Sequence, residues 1–232
     1  MTNLLVNEVF ESIQGEGSYT GVPSIFVRLQ GCPVGCPWCD TQHTWKTKPD
    51  KLRDQNIIMR QSGDTDEYFS ASPDDLFALF KRENYRAKHI VVTGGEPCMF
   101  DLRALTAEAK RRGFSTQIET SGTFEVLCID DTWVTLSPKI NMKGGYELRD
   151  DALLRANEIK HPVAMKKHIH ELDEVLDTLG NLRQQADIIA SYPQVYLQPI
   201  SMQARATELA VSTCIERNWR LSLQTHKFIG VE

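Results

Sequence analysis

The chain has 232 residues, of which 41% are hydrophobic and 25% charged, enough for one substantial core. A net charge of -5 argues against a general nucleic-acid sheath, and no apolar run nears the roughly 18 residues of a membrane span. The polar start Met1-Thr2-Asn3 lacks the charged region and apolar core of a secretory signal, so one cytoplasmic domain over 1–232 is expected, with no nucleic-acid or membrane partner.

Residues 4–13, LLVNEVFESI, read as an amphipathic strand or a short helix. Gln14-Gly15-Glu16-Gly17 ends it, because two glycines in four residues demand a turn, and nothing in QGEG by itself asks for more than that turn. Residues 23–30 form a clearer strand, in which Ile25 and Val27 alternate with Phe26 and Arg28. An arginine inside an apolar strand either snorkels at a sheet edge or points into a site as an anion clamp, and both readings fit Arg28.

The strand runs into GCPVGCPWCDT, residues 31–41, which spaces Cys32, Cys36 and Cys39 as C-x₃-C-x₂-C. Three thiols within eight residues, in a loop broken by Pro33, Gly35 and Pro37, cannot all pair among themselves and face one small volume, as a soft-metal ligand set does. Zinc and an iron-sulfur cluster both suit the spacing. Zinc needs a fourth ligand, for which His43 and Cys98 are candidates; a cluster on three cysteines keeps one iron open. Otherwise Cys98, Cys128 and Cys214 read as small packed residues.

From about 42 to 70 the chain is polar and aperiodic, an inserted, partly ordered excursion. Ser72-Pro73-Asp74-Asp75 then starts a helix, with Ser at the cap, Pro at the first position and acids in the first turn. Beyond it strands and helices alternate: strand 89–93, helix 101–112 capped by Asp101 and stopped by Gly113, strands 114–120 and 133–137, helix 150–157 and strand 158–163. Helix 168–179 stopped by Gly180, strand 194–198, helix 204–217 and strand 219–225 follow. Such alternation implies parallel βα units with helices outside a sheet. Thr93, Glu119, Ser137, Gln198 and Gln224 each fall at the carboxyl end of a strand, the face on which βα folds bind ligands.

Thr93-Gly94-Gly95-Glu96-Pro97 ends the apolar run 89–92, and Trp38 supplies the aromatic of a C-x₃-C-x-aromatic-C pattern. Together these motifs resemble the radical S-adenosylmethionine (SAM) superfamily, in which three cysteines hold a 4Fe-4S cluster and the fourth iron takes the amino and carboxylate groups of SAM. Zinc has no use for GGEP, so the resemblance favours the cluster. Read in one line, QGEG, the Arg28 strand, CPVGCPWCDT, TGGEP, QIETSG, SPK and QTHK resemble the 7-carboxy-7-deazaguanine synthase family from about Asn7 to the C-terminus.

The resemblance implies an α/β fold, an incomplete parallel βα barrel of the radical SAM type in a single domain, with a variable insertion at about 42–70. It implies a lyase reaction of queuosine and 7-deazapurine biosynthesis, a tRNA modification pathway: 6-carboxy-5,6,7,8-tetrahydropterin becomes 7-carboxy-7-deazaguanine, with ring contraction and loss of ammonia. A 5′-deoxyadenosyl radical would start it by taking hydrogen from C6 of the pterin. Cys32, Cys36 and Cys39 would hold the cluster. Trp38, Cys39, Asp40, Gly95, Ser137, Pro138 and Lys139 would contact SAM, and Thr41 would ligate Mg²⁺. Ile13, Gln14, Gly15, Arg28, Thr93, Gln224 and His226 would line the substrate site, with Glu119, Thr93 and His226 in the chemistry and Glu119 as general base. Arg28 suits the substrate carboxylate, where a planar fork binds two oxygens. Phe228, Ile229 and Val231 favour a tail that folds back. Six residues beyond His226 span at most ~20 Å, so the α-carboxylate of Glu232 is within reach of the pterin. An electron donor such as flavodoxin and a homodimer complete the expectation. The alternative is an activating enzyme that acts on a protein glycine, which would need an open groove for a polypeptide.

Overall fold

The computed structural model describes residues 3–61, 63–189, 191–200 and 203–231. Its sheet contains β1 (Leu4–Ile13), β2 (Pro23–Leu29), β3 (Phe69–Ala71), β4 (His89–Gly94), β5 (Ser115–Thr120), β6 (Trp133–Leu136), β7 (Glu158–Val163), β8 (Gln194–Pro199) and β9 (Arg220–Leu221). The helices are α1 (Gln55–Ile58), α2 (Pro73–Arg82), α3 (Arg103–Arg111), α4 (Asp150–Arg155), α5 (Lys166–Gln185), α6 (Ala204–Arg217) and α7 (Thr225–Ile229). The strand order is β3-β1-β2-β4-β5-β6-β7-β8-β9; β1 runs antiparallel to β2 and β3, and the remaining neighbours are parallel. Among the described residues no ladder joins β3 to β9, so the barrel is incomplete.

Strand parity divides the molecule. Ile25, Val27 and Leu29 of β2, Ile90 and Val92 of β4 and Ile118 of β5 pack outward against Leu76, Phe80 and Leu105 of α2 and α3. A second cluster joins Ile159, Val163 and Leu197 to Leu172, Val175 and Leu179 of α5. Each such side chain contributes about 1.5–3 kcal/mol by leaving water. The alternate residues point the other way, and Arg28, Thr93, Glu119, Lys160 and Gln198 line a central cavity. A period of two thus separates core from site.

The turn after β1 closes the amino ends of the strands. Its Gly17 N–H donates to Ser222 Oγ (3.0 Å), Ser18 N–H donates to Glu158 Oε2 (2.9 Å), and Ser18 Oγ donates to Gln194 Oε1 (3.1 Å). Tyr19 stacks on His89 of β4, with ring centroids 4.2 Å apart. Gly17 has φ +63°, and a Cβ there would overlap the Glu158 carboxylate, so glycine is required twice over. The QGEG segment is therefore a plug that spans the sheet, more than the simple turn that its glycines indicated.

Several boundaries differ from the sequence reading. Helix α5 runs through Gly180 to Gln185. An interior glycine costs about 1 kcal/mol against alanine, less than the burial of Leu172, Val175 and Leu179 on the same face supplies. The expected strand 219–225 shrinks to Arg220–Leu221, because Thr225 N–H and Oγ1 both donate to Gly15 O (3.0 Å each) and draw the chain off the sheet into α7. Phe228 and Ile229 are 63% and 60% exposed, so the apolar tail is not packed.

The excursion contains α1 and the edge strand β3. It is tied down by Asn7 Nδ2, which donates to Thr65 O and Glu67 O (2.9 Å each), and by the Lys51–Asp66 and Arg53–Glu67 ion pairs. The helix start at Ser72 is a reciprocal capping box with Asp75. Helix α3 starts at Arg103 with Leu102 at the cap position, where no side chain caps it; the expected cap Asp101 lies one residue earlier and accepts from Arg103 N–H at 3.0 Å.

Candidate active site

The cysteine loop lies across the carboxyl ends of β2 and β4. Gly31 N–H and Cys32 N–H donate to Thr44 O (2.7 Å) and Trp45 O (3.0 Å), and Glu96 N–H donates to Gly31 O (2.8 Å). A Cβ at Gly95 would overlap Gly31 O, which is the physical use of the second glycine in TGGEP. Glu96 is buried and locks β4 to β5: it accepts from Thr120 Oγ1 (2.6 Å), Cys98 N–H (2.9 Å) and Ser121 N–H (2.8 Å), and from the Ser121 hydroxyl.

Cys32, Cys36 and Cys39 line the cavity of about 450 Å³, with Trp45 Nε1 donating to Cys39 Sγ at 3.4 Å and Thr41 Oγ1 3.6 Å from the same sulfur. Burial pushes the Cys32 thiol up to about 11 and also raises Cys36, where Lys139 opposes it. The two fourth-ligand candidates stand apart. Cys98 is packed in the apolar core, and His43 lies beside Asp64 (3.8 Å); neither lines the cavity. Among the described residues no three His, Cys, Asp or Glu side chains gather closely enough to chelate a single ion. Three soft thiols around an opening, with no fourth protein ligand, fit a cluster with one open iron and not a closed zinc site.

The same cavity gathers the other candidates: Ile13, Gln14, Gly15, Arg28, Trp38, Asp40, Thr41, Thr93, Gly95, Glu119, Ser137, Lys139, Gln224 and His226 all line it. Pro138 does not, and faces a small neighbouring pocket with Trp38 and His161. Glu232 lies outside the described residues. Arg28 is interior to the sheet, between β1 and β4, and its Nε donates to Glu8 Oε2 at 2.7 Å, so snorkelling at an edge is ruled out. Gly15 presses on His226, whose ring a Cβ would overlap. Lys139 is half-buried, and desolvation depresses its ammonium despite the nearby Cys36; its Nζ donates to Ser137 Oγ at 2.5 Å.

Sequence reading missed Glu16 and Lys160. Lys160 Nζ is 2.6 Å from Glu16 Oε2 and 2.8 Å from Glu119 Oε2, and the lysine side chain is only 7% exposed. Gln224 Nε2 donates to Glu16 Oε1 (2.9 Å), and Gln117 Nε2 donates to Glu119 Oε1 (2.8 Å). Burial raises the Glu119 carboxyl, with Lys160 opposing and Glu16 reinforcing; in Glu16 burial is outweighed by Lys160, and the carboxyl is lowered. Burial would neutralise Lys160, but the two carboxylates hold it charged. One signal was available: Lys160 falls at the inward parity of the predicted strand 158–163, as Arg28 does in β2.

A partial parallel barrel whose thiol loop opens on a polar cavity, with GGEP beside it, defines the radical SAM class, and the Radical SAM superfamily profile matches residues 26–185. A 7-carboxy-7-deazaguanine synthase of Escherichia coli K12 is 52% identical over 226 residues, covering 97% of this chain and 98% of that one. One from Buchnera aphidicola is 42% identical over 227 residues, with 97% and 98% covered. The crystal structure of QueE from Escherichia coli matches with a TM-score of 0.88 at 50% identity, covering 95% of this chain and 93% of that one. The chain belongs to the 7-carboxy-7-deazaguanine synthase family of radical SAM enzymes. Nothing in these likenesses favours an activating enzyme for a protein glycine.

Proposed function

We propose that the protein converts 6-carboxy-5,6,7,8-tetrahydropterin to 7-carboxy-7-deazaguanine with release of ammonia. The observation that carries this reading is one cavity holding three unpaired thiols together with Arg28 and the half-buried Glu119. When bound, the cluster and SAM supply a hydrogen-abstracting radical. Trp38, Cys39, Asp40, Gly95, Ser137 and Lys139 are the SAM contacts of this proposal, and Pro138, which faces the neighbouring pocket, is left out.

Within the cavity, Arg28 binds the substrate carboxylate. Glu8 engages its Nε, and the terminal nitrogens offer the planar fork that matches two carboxylate oxygens. Ile13, Gln14, Gly15, Thr93, Gln224 and His226 surround the ring. Glu119 takes the proton lost as the ring rearomatises; burial raises its carboxyl, in the direction that makes a carboxylate a better base near neutral pH. The plug of β1–β2 keeps water out from below, which a reactive radical demands. Thr41, with its hydroxyl beside Cys39, is the proposed Mg²⁺ ligand, and the oxygen preference of that ion suits it. The α-carboxylate of Glu232 is proposed as a further substrate contact. An electron donor such as flavodoxin, a homodimer and a cytoplasmic location belong to the same proposal; among the described residues no helix is long and apolar enough to cross a membrane.

The test is anaerobic incubation of the reconstituted protein with carboxytetrahydropterin, SAM, Mg²⁺ and a reductant. Mass analysis should find 7-carboxy-7-deazaguanine, and ammonia should form in equal amount. Unchanged pterin beside 5′-deoxyadenosine would send the search to another substrate.

A further inference from the structure

We propose that Lys160 is a positioning residue that joins Glu16 and Glu119 into one proton-holding unit and keeps Glu119 ionised, and so able to act as the base. This rests on the proposed role of Glu119 and extends it to two residues with no role in that proposal. The geometry is specific. One ammonium reaches an oxygen of each carboxylate, at 2.6 and 2.8 Å, and the second oxygen of each is held by a glutamine, Gln224 at the start of α7 for Glu16 and Gln117 two residues back on β5 for Glu119. Each carboxylate has about four lone-pair positions, so both keep acceptor capacity for a ligand while neither is free to rotate.

Two carboxylates this close to one lysine cannot titrate independently. With Lys160 charged, the unit carries one net negative charge, and the burial that would protonate Glu119 is partly offset. Without Lys160, two largely desolvated carboxylates, each with a side chain 16% exposed, would share the site with no cation in contact, and a proton would settle on one of them. The surrounding charges do not substitute for it. Arg28 of β2 is paired with Glu8 of β1, and Lys139 after β6 donates to Ser137. Lys227 of α7 donates to Gln224 and lies 3.9 Å from Asp40. His226, also of α7, is half-buried and depressed by burial. Glu158, lower on β7, is a further negative charge and raises Glu119.

The step asked of the unit is a proton transfer alone. The proton leaves a ring carbon of the substrate, the electron pair stays in the ring, and the proton rests on Glu119 Oε2. Lys160 can then pass one of its own protons to Glu16 and accept that of Glu119, so that the proton moves toward Gln224 and the cavity mouth while the charge of the unit is conserved.

The experiment compares wild type with Lys160→Met and Glu16→Gln as anaerobic holoenzymes. It reads the pH dependence of kcat/KM, and the protonated-carboxyl infrared band in ¹³C-glutamate-labelled protein, assigned by its loss in Glu119→Gln. Lys160→Met should raise the ascending limb by at least about one pH unit and show the Glu119 band at pH 7, where wild type lacks it. Glu16→Gln should move the limb the opposite way, since Lys160 then serves Glu119 alone. The opposed signs keep the test decisive if one variant folds poorly. A uniform loss of rate at every pH, with the band unchanged in both variants, would reduce Lys160 to a packing element and overturn the proposal. Because the infrared titration needs no substrate, a shifted band with no turnover of carboxytetrahydropterin would uphold the unit while rejecting the substrate.

Discussion

Arg28 has two duties in one guanidinium. Its Nε satisfies Glu8, and the rest of the fork faces the cavity. Arg28→Lys keeps a cation for Glu8 but removes the planar fork, so thermal stability should stay near wild type. The lost charge-assisted contact is worth about 1.5–3 kcal/mol, a KM for the pterin raised roughly ten- to hundredfold, with cluster content unchanged. Steady-state kinetics check this, and a wild-type KM would leave Arg28 as the partner of Glu8 alone. The cysteines separate just as sharply. Cys32→Ala, Cys36→Ala and Cys39→Ala should each lose the brown colour and the iron of the anaerobically purified protein, because three ligands leave none to spare. Cys98→Ala, Cys128→Ala and Cys214→Ala should keep both, since none of these three lines the cavity. Iron retained at wild-type level in Cys36→Ala would contradict the ligand assignment.

Among the elements, α5 holds a testable weakness. Gly180 sits inside the helix, and a Cβ there would meet nothing nearer than Tyr192 Oη at 3.7 Å. Gly180→Ala should therefore stabilise the protein by about 1 kcal/mol, raising the thermal midpoint by roughly 2–4 °C without affecting turnover. Calorimetry decides it, and a lowered midpoint would mean that the helix bends there for a reason of packing. The β1–β2 turn and α7 are the opposite case, because each is short and neither is stable alone; contacts such as Thr225 to Gly15 O define both at once.

For the whole molecule, the buried polar groups set the response to acid. His161 is buried, and burial, reinforced by Lys139, pushes it down to about 4 from an ordinary value of 6.5. The unfolded chain therefore binds a proton that the native state refuses. The resulting stability is fully present above about pH 6.5 and is lost as pH falls toward 4, at a cost of about 3 kcal/mol. Denaturant unfolding of wild type and His161→Leu between pH 7 and pH 4 should show the variant losing less over that interval. Parallel curves would place the acid sensitivity elsewhere.

Strand parity, the cap at Ser72, the βα alternation and the three thiols were legible along the chain, because each depends on neighbours within a few residues. The motifs also named most of the residues that line the cavity. The continuation of α5 through Gly180, the loss of strand 219–225 to α7 and the plug made by QGEG were not legible, since in each a distant contact outweighs a local preference. The same holds for Lys160, whose partners lie 144 and 41 residues away in sequence. By itself the sequence determined, through short-range spacing, that three thiols share one loop, and the class of chemistry was legible in the resemblance of its motifs to the radical SAM superfamily. Only the tertiary structure decided which buried charges meet, because in a low-dielectric interior the energy of a charge depends on partners that sequence distance does not reveal.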